Sequence, residues 1–207
     1  MRKNIILLVF FLYNTILFGQ NLPVLRTVPV SNTHYESFFL LSGDYIQDNQ
    51  NLLDEYEGTW LYNQNGVEFT LKLVKKTMVL SSSDNFYVYY DEIVSTYKLK
   101  YNGNVLIDNL SVIPSSSNLN LQIFDSFDNG SSLNFIEGSF QDLTTGVLYH
   151  CEIRKILTHP SQPQKIQFEV FPQERLFVSP NGTEQVTVIP SPVPIHLLNG
   201  IELIKIN

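Results

Sequence analysis

Apolar and polar residues alternate along most of the chain beyond Gly58. Val67, Phe69, Leu71 and Leu73 alternate with Glu68, Thr70 and Lys72. Ile93, Tyr97, Leu99 and Tyr101 alternate with Thr96, Lys98 and Lys100. The same period recurs at Leu119 to Ile123, Val147 to Ile153, and Ile166 to Val170. Phe86 to Tyr90, Leu133 to Phe140, Val186 to Ile189 and Ile201 to Ile206 complete the set. Period two places alternate side chains on opposite faces, so each run reads as a half-buried antiparallel strand. Five Asn-Gly pairs, at 65–66, 102–103, 129–130, 181–182 and 199–200, punctuate the runs. Both residue types accept φ > 0, as tight primed hairpin turns require. The pattern predicts an all-β antiparallel meander of about nine or ten strands with almost no helix. A lipocalin-like barrel or half-open barrel is the first expectation, and a β-sandwich is the alternative. Without a sustained 3.6-residue period, βαβ units and the dinucleotide folds built on them are excluded.

The ends of the chain read differently. Arg2 and Lys3 precede an apolar run, Ile5 to Phe18, which ends at Gly19-Gln20. That is the layout of a secretory signal peptide over residues 1–20. The run is shorter than the roughly 20 residues a spanning helix needs. No later stretch reads as a transmembrane helix. Residues 21–50 show apolar clusters without a period and read as an extended lead-in to a single β domain over 51–207. Pro190 to Pro194 forms a stiff connector before the last strand.

Composition narrows the partners. The formal charge of −7 argues against nucleic acid and anionic membrane surfaces. Cys151 is the only cysteine, so no internal disulfide forms, and no cysteine near the leader can carry a lipid anchor. The expected address is the periplasm or the cell exterior.

Candidate chemistry is sparse. Cys151 falls on the apolar parity with Tyr149 and Ile153, which makes it a small core residue rather than a nucleophile. His150 and Glu152 share the opposite face, two residues apart. Two ligands fall short of a metal site, which wants three or four, so no metal and no cofactor are expected. Asp54, Glu55 and Glu57 sit in a single helical turn, Asn51 to Glu57, and read as structural. No catalytic constellation is present. Tyr87, Tyr89, Tyr90, Tyr97 and Tyr101 cluster in neighbouring runs. Tyrosine suits strands, and it also lines binding surfaces.

The stretch Tyr56-Glu-Gly-Thr-Trp60 opens the meander and contains the only tryptophan. A short helical turn followed by Gly58-Thr59-Trp60 resembles the Gly-x-Trp start of lipocalin-type barrels. That resemblance implies structural roles for Gly58 and Trp60, with the indole closing the barrel's base, and a small apolar ligand inside. The Thr-Asp-Tyr signature of lipocalins is absent, and no late arginine matches the one that covers their tryptophan. The chain as a whole is similar to a family of uncharacterised secreted proteins of Bacteroidota. The carriers of that likeness are Phe18 to Gln20, Tyr56 to Trp60, Phe69 to Leu73, the proline-rich connector and Ile201 to Lys205. It implies a fold and an address but no reaction. The expected function is an exported non-catalytic binding or interaction module for an unknown protein partner. The alternative is a lipocalin-like carrier. A filled interior argues against the carrier, whereas a cavity of roughly 300 Å³ or more supports it.

Overall fold

The computed structural model describes residues 22–30, 40–112, 119–121, 135–143, 148–171, 174–178, 184–188 and 198–207. Thirteen strands run through them: β1 (Arg26–Pro29), β2 (Asp44–Gln47), β3 (Gly58–Gln64), β4 (Val67–Ser83), β5 (Phe86–Tyr101), β6 (Asn104–Asp108), β7 (Leu119–Leu121), β8 (Phe135–Gln141), β9 (Leu148–Ile156), β10 (Lys165–Phe171), β11 (Glu174–Val178), β12 (Glu184–Val188) and β13 (Ile201–Lys205). No helix longer than an isolated turn occurs among the described residues. The signal-peptide reading, the connector at 190–194 and two of the Asn-Gly pairs fall outside them.

Eleven strands form one sheet in the order β1-β2-β5-β4-β3-β13-β10-β9-β8-β7, with β6 also paired to β5. β11 and β12 form a separate antiparallel pair. The large sheet curls until β7 meets β5, with Ile93 opposite Leu121 and Val94 opposite Asn120. That seam is two residue pairs long, so the sheet makes a half-open barrel. The last strand sits beside the first strand of the meander, with Lys205 opposite Trp60.

Two features depart from the expected meander. The lead-in contributes two short strands, and both pair in parallel, β1 with β2 and β2 with β5. Arg26 lies opposite Asp44 and grips it through Nε at 3.0 Å and Nη2 at 2.6 Å. The second departure is β5, which is one continuous strand where the pattern suggests two. Val88 and Tyr90 meet the core on even positions, while Ile93, Tyr97 and Leu99 meet it on odd ones. The apolar phase therefore changes at Asp91-Glu92, although the chain does not break. Opposite this point β4 carries a bulge between Lys76 and Val79, with Met78 at φ 55°. An extra residue on one strand bends the pair and increases its twist. The Asp91 carboxylate holds the kink. It accepts from the Met78 N–H at 3.0 Å, the Tyr45 hydroxyl at 2.7 Å and the Asp48 N–H at 2.9 Å.

The two hairpin turns at Asn65-Gly66 and Asn102-Gly103 have φ > 0 at both residues, as their sequence predicts. The tips touch, and the Asn102 N–H donates to the Gly66 carbonyl at 2.7 Å. A Cβ at Gly66 would collide with Asn102 Oδ1.

The core is the barrel interior. Phe69, Tyr97, Phe140 and Phe168 come from four different strands and meet one another at centroid separations of 4.9–6.5 Å. Those separations and their tilted or edge-on geometry are the favoured aromatic arrangements. Leu71, Ile136, Cys151, Ile153, Ile166 and Leu203 belong to the same buried cluster.

Candidate functional site

The Trp60 end of the barrel is built from the turn before β3 and from the last strand. Asp48 shapes the turn: its carboxylate accepts from the Leu52 N–H at 2.8 Å and the Leu53 N–H at 2.9 Å. This is a side-chain cap on donors that the turn leaves open. Lys75 ties the cap to β4, reaching Asp48 at 2.9 Å and Asp54 at 2.6 Å. Burial works against its charge, yet the two carboxylates outweigh that and hold the Lys75 ammonium above its ordinary range. The turn buries Leu52, Leu53 and Tyr56 and delivers the Tyr56 carbonyl to the Trp60 indole N–H at 2.9 Å. Trp60 is 1% exposed.

Gly58 and Lys205 complete this end. Gly58 has φ +135°, and a Cβ there would run into the Asn207 carbonyl and the Lys205 side chain. The close approach of the last residues therefore requires glycine. The Lys205 ammonium stands 5.3 Å from the centre of the Trp60 ring, in reach of a cation–π contact. A cleft of about 340 Å³ opens beside the indole, between this turn and the β9–β10 hairpin. Lys155 and Lys165 stand on its walls with Ile156, Leu157 and Ile166. Both lysines are already paired, Lys155 with Glu55 and Lys165 with Glu202.

The five tyrosines do not form one surface. Tyr97 is buried in the aromatic core, and its hydroxyl donates to the Gln141 carbonyl at 3.2 Å and accepts from the Leu143 N–H at 3.1 Å. Burial pushes its phenol up. Tyr90 packs partly against the core. Tyr87 and Tyr89 tether the lead-in, donating to the Pro23 and Leu22 carbonyls at 2.8 Å each. Tyr101 alone of the five is exposed.

Cys151 is fully buried in the core, and burial raises its thiol far above the reactive range. Its neighbours His150 and Glu152 face outward. There the structure adds a residue that the sequence did not single out. β8 pairs with β9 so that Glu137 stands directly opposite Glu152. The His150 Nε2 lies 3.6 Å from a Glu137 carboxylate oxygen. Arg154 bonds Glu152 and covers the Phe135 ring at 4.7 Å. Glu137 was hidden because its neighbours are set by the β8–β9 register. Lys205 was hidden for a related reason. Its contact with Trp60 comes from pairing strands at opposite ends of the domain.

No curated protein and no solved structure matches the chain. A family model does match, over residues 1–135, which takes in the N-terminal segment, β1 to β7 and the first residue of β8. On that match the chain belongs to DUF6705, a family of unknown function.

Proposed function

We propose that the protein is an exported, non-catalytic binding or interaction module whose recognition surfaces lie on the outside of the barrel and at its Trp60 end. The observation that carries this reading is the aromatic packing among the described residues of the interior. Phe69, Tyr97, Phe140 and Phe168 occupy the volume in which a barrel of this kind would hold a ligand. The leader layout of residues 1–20 supports export. The buried, unreactive Cys151 supports a role without nucleophilic chemistry at that thiol.

A second reading, a lipocalin-like carrier of a small apolar ligand, is favoured by the Trp60 end itself. A short turn, a buried indole in the first strand of the meander and a cation from the last strand over its ring stand together there. The 340 Å³ cleft beside the indole is within the range of small-molecule sites. Its apolar wall of Trp60, Ile156, Leu157 and Ile166 is flanked by the charged Lys155 and Lys165, a mixed lining that suits surface recognition better than storage of an apolar cargo.

Native mass spectrometry of the protein exported by its own host separates the two. The interaction module is expected as a chain shortened after Gly19 or Gln20 and bound to a second protein. A co-purified small apolar molecule in one-to-one ratio would replace it with the carrier. A chain that retains Met1 inside the cell would overturn export.

A further inference from the structure

The outer face of β8, β9 and β10 carries an unusual row. Glu137 faces Glu152, and Glu152 faces Glu169, directly across three adjacent strands. Like charges placed opposite each other in a sheet are destabilising. Arg154 contacts the row through Glu152. Glu169 is held by the Gln167 amide at 2.8 Å, which brings no charge. On the other side of the row stands His150, whose ring lies against Phe171 at 5.5 Å. The imidazole gives this cluster a nitrogen donor that a purely acidic patch lacks. One ligand atom each from Glu137, His150 and Glu152 falls within 4.8 Å of the others.

We propose that Glu137, His150 and Glu152 form a surface site for a divalent transition-metal cation of the zinc type, with Glu169 beside it. The donor set decides the class. Calcium and magnesium prefer all-oxygen shells, whereas zinc accepts imidazole nitrogen with carboxylate oxygen. Three protein ligands leave a position open for water or for a partner's side chain. The geometry is close to what binding needs. Zinc–ligand bonds of about 2.0–2.1 Å place tetrahedral ligands about 3.4 Å apart. The His150 to Glu137 separation of 3.6 Å already approaches that value. Glu152 completes the set by a side-chain rotation that exchanges Arg154 for the metal, while the strands that carry the ligands stay in register. The Phe171 contact holds the imidazole in place.

Isothermal titration of metal-stripped, full-length mature protein with zinc chloride tests the site. Cobalt(II) absorption provides a second readout of a mixed nitrogen–oxygen shell. One equivalent of zinc is expected to bind. His150→Ala and Glu137→Gln are each expected to weaken it by about tenfold or more while circular dichroism stays unchanged. His159→Ala is the control and is expected to leave binding intact. Absence of binding in the wild type, or binding that survives both substitutions, would overturn the proposal. The latter result would place the metal elsewhere on the surface and leave His150 and Glu137 as a plain ion pair.

Discussion

β5 and β9 are long strands of the same sheet, and they use their two faces in opposite ways. β9 divides cleanly: Tyr149, Cys151 and Ile153 are buried, while His150, Glu152 and Arg154 point outward. β5 does not divide at all in its middle, where every residue from Asp91 to Tyr97 is buried. Their neighbours differ as well. β9 is flanked along its length by β8 and β10, and its outer side chains remain accessible. β5 has β4 on one edge, but its other edge is divided among β2, β7 and β6. Four polar residues, Asp91, Glu92, Ser95 and Thr96, are enclosed there. Charges on β9 are therefore available for recognition, whereas charges on β5 belong to the architecture.

Substitutions along the two strands should separate these roles. The largest effect is expected at Tyr97, where β5 reaches the aromatic core. Tyr97→Ala should destabilise by about 3–5 kcal/mol in equilibrium unfolding, because it opens a cavity among Phe69 and Phe140. A loss below about 1 kcal/mol would show the interior is looser than the ring contacts imply. Asp91→Ala comes next. It strands three donors at the bulge and should cost about 2–4 kcal/mol in urea melts. If that variant unfolds like the wild type, the carboxylate does not hold the kink.

Glu92 should behave in the opposite sense. Burial raises its pKa, so the folded protein binds this proton more readily than the unfolded chain does. The penalty grows as pH rises above the unfolded value and is complete above the folded one. Glu92→Gln should accordingly raise Tm at pH 7, with the gain fading as pH falls through the raised folded value and gone below about 4. A gain independent of pH would place its cause outside ionisation. The smallest effect is expected on the open face of β9. Arg154→Ala removes an exposed ion pair and a ring contact and should shift stability by no more than about 1 kcal/mol. A larger loss would mean that β9 depends on its outer face as β5 does.

The same contrast explains how much of the molecule was legible in its residues. β9, β10 and the first half of β4 alternate because one face meets solvent, and period two recovers them. The Asn65-Gly66 and Asn102-Gly103 turns were readable because left-handed backbone selects those residues. β5 read as two strands because its apolar phase changes at Asp91. The bulge responsible lies on its partner, around Met78, whose side chain carries no turn signal. The parallel lead-in strands were not visible because β1 and β2 are four residues each and lack a period. Trp60 and Gly58 stood out in the sequence as a local motif. Lys205 and Glu137 did not, because each acquires its neighbour through strand pairing across long stretches of chain.

Aromatic rings from four strands pack against one another inside the barrel. Titration of the folded protein with an apolar fluorescent dye tests this most directly, with Phe140→Ala as the variant in which space has been made. The wild type is expected to show no saturable one-to-one binding, and the variant is expected to gain it. Saturable one-to-one binding by the wild type, unchanged in the variant and competed by a small fatty acid, would contradict the filled interior and restore the carrier.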